Sequence, residues 1–146
     1  MPLTARQLGL LQGWLGEWSI VTDHSWPLQD TTVLRVRTTD GDLVVKASET
    51  SHHIGREIDA HVRVLNTLYD HRFPHLRHAD REAGLLVTEW IPGTLAEGTP
   101  AEHNPAVYRQ AGAALAQLHV RPETSEDYLP TTIAKIEILH ATAGRL

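Results

Sequence analysis

The chain has 146 residues, 41% of them hydrophobic and 21% charged, with a net charge of −5 and no cysteine. That length suits one domain, or one and a fraction, with a real core. The acidic balance leaves no basic footprint for nucleic acid, the missing thiols exclude disulfides and thiolate metal sites, and no apolar stretch approaches the roughly 20 residues of a membrane span.

Residues 1–30 lack a basic start followed by an apolar run, so the expected setting is cytoplasmic. Thr4 is placed to cap a first helix over residues 4–16, with Leu8, Leu11 and Leu15 at helical spacing and Trp18 after them. Trp14, Trp18 and Trp26 read as core packing around that helix. Three strand-like runs follow, over residues 18–22, 31–38 and 43–48. Asp40-Gly41, between the last two, is a hairpin signal because Gly accepts positive φ. A second helix is expected from Ile54 to Tyr69, with Ile54, Ile58, Val62, Leu65, Leu68 and Tyr69 as its apolar stripe. Phe73-Pro74 breaks the pattern. Residues 75–79 give a weak strand, 80–84 a turn, and 85–91 an apolar strand that Pro92-Gly93 ends. Residues 94–104 read as a polar linker. Pro105 suits the first turn of a third helix, where its missing N–H is not needed. That helix runs to about His119, and a last one is expected over residues 131–143. Strands interrupted by one helix, then helices, predict an α+β sheet lobe followed by the start of a helical lobe.

Among 13 basic residues only Lys46 and Lys135 are lysines. Lys46 ends the apolar run Leu43-Val44-Val45. An ammonium is a compact point charge suited to phosphate, whereas guanidinium is a wide planar fork. Strand alternation puts Val44, Lys46 and Ser48 on one face. Glu57 stands three residues after Ile54 and four before His61, at the margin of the helical stripe. A half-buried carboxylate needs a partner, and Lys46 is the nearest lysine in sequence. The plainer alternative for Lys46 is a strand-end side chain reaching water. His52, His53, His61, His71, His75 and His78 raise metal binding, and His71-x3-His75 has a zinc spacing. Phe73-Pro74 interrupts the helix that spacing needs, which favours surface histidines.

The segments DLVVKASE, GREIDAHVRVL, GLLVTEWIPG and YRQAGAALAQLH, in this order and spacing, resemble the aminoglycoside phosphotransferase family of the kinase-like fold. The resemblance implies a protein-kinase-like amino-terminal lobe, a five-stranded sheet with one crossing helix, over residues 1–93. The first helices of a helical lobe would occupy residues 94–146. It further implies ATP as cofactor, Mg2+ in a complete member, and a small-molecule hydroxyl as acceptor. Lys46 would contact the ATP phosphates and Glu57 would orient it. Val44 would pack on the adenine, and Val87 would sit at the back of its pocket. The Thr88 carbonyl and the Trp90 N–H would bond the adenine edge.

Two features depart from that pattern. The loop expected over the phosphates, DHSWPLQDT, has no glycine, and Pro27 lacks an N–H, although close backbone approach favours glycine. The resemblance also implies a catalytic His-Gly-Asp with magnesium-binding Asn and Asp downstream, and no His-Gly-Asp is present. The expectation is a partial phosphotransferase that does not turn over alone. The alternatives are a non-catalytic nucleotide-binding or regulatory module completed by another chain or by a homo-oligomer, and a His-rich metal-binding domain.

Overall fold

A computed structural model describes residues 3–50, 52–63, 65 and 73–119. By backbone packing the chain falls into two compact units, Met1–Gly93 and Thr94–Leu146.

The first unit opens with helix α1, Ala5–Leu15. Thr4 caps it reciprocally with Gln7: the Gln7 N–H donates to the Thr4 hydroxyl at 3.2 Å, and the Thr4 N–H donates to the Gln7 side chain at 3.0 Å. This capping box satisfies two amides that a helix start otherwise leaves unpaired. The buried residues of α1 are Gln7 and Leu11, while Leu8 is 43% exposed. The expected stripe is therefore rotated, because the Gln7 amide donates to the Ala83 carbonyl at 2.8 Å and draws that face inward. Trp14 and Trp18 pack against the core as expected, whereas Trp26 lies exposed in the loop after the first strand.

The sheet is antiparallel throughout, in the order β1-β2-β3-β5-β4. Its strands are β1 (Trp18–Asp23), β2 (Thr32–Thr38), β3 (Gly41–Ala47), β4 (Leu76–Asp80) and β5 (Leu85–Glu89). Both edge strands are irregular: β1 shifts register between Ile20 and Thr22, and β4 between Leu76 and His78. Such bulges blunt an edge against further pairing. Thr38 pairs with Gly41, so Thr39 and Asp40 form the hairpin turn and Gly41 opens β3 rather than closing the turn. Alternation divides the side chains cleanly. One face carries Leu34, Val36, Val45, Ala47, Leu85 and Val87, packed with Leu11 of α1.

The other face meets helix α2, His52–Arg63. Ile54 and Ile58 pack there with Leu86, flanked by Leu76. His61 is buried and Val62 exposed, so the inward positions run 54, 58, 61 rather than 54, 58, 62. Both spacings follow a helical stripe; the first one places an imidazole inside. Residues beyond Arg63 in the expected second helix lie mostly outside the described residues. Arg81 of the β4–β5 turn pairs with Asp59, holding its carboxyl below the usual range, and donates to the Gly55 carbonyl at 3.3 Å. These contacts pin α2 to the hairpin.

In the second unit the linker contains a short 3-10 helix, Pro100–His103, capped by Thr99. Helix α3 spans Pro105–His119, and the Asn104 side chain accepts from the Ala106 N–H at 2.9 Å. The helix expected over residues 131–143 lies outside the described residues.

Candidate functional site

Lys46 and Glu57 meet. Lys46 Nζ donates to Glu57 Oε1 at 2.6 Å, bridging β3 and α2. The two side chains are 30% and 31% exposed, so the pair is neither dissolved in water nor sealed in the core. His61 Nε2 stands 3.9 Å from the same Glu57 oxygen. The Glu57 carboxylate thus stands between the sheet cation and the imidazole of its own helix.

Cross-strand partners share a face. Lys46 pairs with Val33 on β2 and Leu86 on β5; Val44 pairs with Arg35 and Thr88. Val33, Arg35, Val44, Lys46, Leu86 and Thr88 therefore form one surface, on the α2 side of the sheet. Val87 does not belong to it. Its partner is Val45, and it is fully buried on the α1 face. On this face β5 presents Leu86 and Thr88 instead, because its side chains alternate and 87 has the other parity.

The main chain at Thr88 and Trp90 is engaged within the sheet. Thr88 is paired on both sides, with Val44 on β3 and Leu76 on β4. The Trp90 N–H donates to the Asp42 carbonyl at 3.3 Å, carrying the β3–β5 ladder one step past the strand. That donor is engaged within the sheet.

Trp90 leads to a cluster that the sequence reading overlooked. Arg35 Cζ lies 4.3 Å from the Trp90 ring centroid, a cation–π distance. The His24 ring stacks on Trp90 with centroids 5.9 Å apart and planes within 16°. Arg35 Nε donates to Asp42 Oδ2 at 2.7 Å, and Arg37 Nε to Asp42 Oδ1 at 2.8 Å. The Arg37 and Arg35 guanidiniums hold the Asp42 carboxyl at about 2, well below its ordinary 3.8. The signal was present: residues 35, 37 and 42 share hairpin parity, with two positive charges facing one negative.

A family model described as the phosphotransferase enzyme family, APH, matches residues 27–141. The chain belongs to that family. Its first unit, a five-stranded antiparallel sheet with α2 across one face, is the α+β amino-terminal lobe of a kinase-like fold. Comparison with curated proteins and with solved structures gave no match.

The loop before β2 departs from the glycine-rich loop that the resemblance implies, having no glycine between Asp23 and Thr31. At its start the Ser25 N–H donates to Asp23 Oδ1 at 2.8 Å, and the Ser25 hydroxyl accepts from the Val33 N–H at 3.0 Å. Hydrogen bonding from the Ser25 side chain, and then from its backbone N–H, keeps the Asp23 carboxyl below its usual range. At the far end Asp30 accepts from the Thr50 hydroxyl. A carboxylate there repels phosphate, so this loop is poorly suited to gripping one. Two concavities lie elsewhere on this unit. One of about 420 Å³ is lined by Asp30, Thr50 and His53, and another of about 210 Å³ lies between Trp14 and the β2–β3 hairpin.

Among the described residues no group of three or more His, Asp or Glu side chains is arranged to hold a metal ion; His71 is not one of those residues. No described helix is long and apolar enough to cross a membrane.

Proposed function

We propose that the sheet face bearing Lys46 binds the triphosphate of ATP or a related nucleotide, for phosphoryl transfer to a small-molecule hydroxyl. The observation that carries this is the 2.6 Å Lys46–Glu57 pair between β3 and α2, in a chain of the phosphotransferase family. Lys46 supplies the compact charge for phosphate oxygens, and Glu57 fixes where that charge stands. Val44, with Leu86 and Thr88 beside it on the same face, supplies a wall for the nucleoside. Magnesium, when bound, neutralises charge on the transferring phosphoryl group. Among the described residues no group of three or more His, Asp or Glu side chains is arranged to hold it; the role assigned here to the first unit is binding and positioning of the nucleotide.

Thermal unfolding with and without ATP tests this. A ligand at one hundred times its Kd stabilises the folded state by about 2.7 kcal/mol. The wild-type chain should melt at a clearly higher temperature in millimolar ATP and magnesium, and Lys46→Ala should lose most of that shift. No shift in the wild-type chain would remove the nucleotide reading.

A further inference from the structure

We propose that Arg35 is the nucleobase platform of this face, its guanidinium stacking flat against the base of the bound nucleotide. The proposal rests on the nucleotide reading above and adds how the base is held.

Four observations lead to it. First, Arg35 stands directly opposite Val44, so a base packed on Val44 must also meet Arg35. Second, the guanidinium is already ordered. Its Nε and one terminal nitrogen both donate to Asp42, and Arg37 holds that carboxylate from another side. A planar group fixed in advance loses little freedom when a ligand arrives. Those same bonds set the direction of two of the five guanidinium N–H donors towards Asp42. Third, the guanidinium lies 4.3 Å above the Trp90 ring, while the side chain keeps 27% of its surface exposed. A guanidinium has two faces, and an aromatic ring on one leaves the other suited to a second aromatic ring. Fourth, the Trp90 N–H is engaged by the Asp42 carbonyl, so reading of the base edge at that donor is lost. Stacking then carries base binding, and it is tolerant because every base has a π-face. The spacing also suits a nucleotide: Val44 and Lys46 are two residues apart, roughly 7 Å along the strand, which separates the base contact from the phosphate contact.

The test is calorimetric titration of ATP, GTP, CTP and inorganic tripolyphosphate into wild type, Arg35→Ala, Arg35→Lys and Asp42→Asn, each first shown to unfold cooperatively. Arg35→Ala should weaken all three nucleotides about tenfold, the order of one base stack, and leave tripolyphosphate unchanged. Arg35→Lys should not restore binding, because an ammonium is not a plane. Asp42→Asn, which loosens the guanidinium without removing it, should also weaken nucleotides selectively. If Arg35→Ala does not fold, the Arg35→Lys and Asp42→Asn results decide. Unchanged or tighter nucleotide binding in Arg35→Ala would overturn the proposal and mark Arg35 as a plug. Rescue by Lys, or a parallel loss of tripolyphosphate, would overturn it in favour of plain charge. Wild-type binding of tripolyphosphate with no gain from any base overturns this proposal alone; no binding of any of the four overturns the nucleotide reading with it.

Discussion

The ammonium of Lys46 lies 2.6 Å from Glu57 Oε1, joining the middle of the sheet to α2. Its value for folding is small. A pair whose side chains are about one-third exposed contributes on the order of 1 kcal/mol or less. Full burial of a single leucine such as Leu86 contributes roughly 1.5–3 kcal/mol. The bond therefore positions a charge more than it holds the lobe together. Urea unfolding of Lys46→Ala should show a loss of no more than about 1 kcal/mol. A loss above about 3 kcal/mol would make the pair a structural one.

Gly84 is required by shape. Its φ is +58°, and a Cβ there would stand 1.8 Å from the Ser48 carbonyl oxygen. That carbonyl belongs to the same crossing in which the Ser48 N–H donates to Gly84 O at 2.9 Å. Backbone cannot yield as a side-chain tip can. Gly84→Ala should cost at least about 2 kcal/mol in denaturant unfolding, whereas Gly93→Ala, with no atom within 4 Å of its added Cβ, should cost little.

Gln7 is a polar residue doing a core residue's work, buried to 2% and bonded to the Ala83 carbonyl. Gln7→Ala leaves that carbonyl and the Thr4 N–H without their partner, at about 2 kcal/mol. Leu8→Ala, at a position 43% exposed, should cost less than about 1 kcal/mol. Chemical denaturation of the two variants compares them directly; a larger loss for Leu8 would contradict the rotation of α1.

Asp42 sets an acid limit on the β2–β3 hairpin. Its folded carboxyl titrates at about 2, against an ordinary value of 3.8. A lowered carboxylate contributes stability that is fully present above the unfolded value and is lost as pH falls towards the folded one. The wild-type chain should therefore lose stability between about pH 4 and pH 2, and Asp42→Asn should flatten that part of the profile. Equal acid slopes for both proteins would show that Arg35 and Arg37 do not hold the charged form.

The strands, α1, α3 and the meeting of Lys46 with Glu57 were legible because they depend on period and on single charges. Leu43-Val44-Val45-Lys46 alternates cleanly, and Glu57 sits where a helix margin must face the sheet. Parity around Val87 was misjudged, since a continuous apolar run such as Leu85-Leu86-Val87 does not reveal which face each side chain takes. Gln7 and His61 were missed for the reverse reason: hydrophobic counting assigns their places to Leu8 and Val62. Arg35 and Trp90 lie 55 positions apart in sequence, and only the β2–β3 and β3–β5 registers taken together bring them near each other.

The central claim is that Lys46, held by Glu57, meets nucleotide phosphates. Equilibrium titration of ATP into wild type and Lys46→Ala tests it most directly. Saturable binding that weakens at least about tenfold in the variant, the loss of about 1.4 kcal/mol expected of a charge-assisted contact, is the predicted result. Equal affinity of the two proteins, or no binding by wild type, would contradict it.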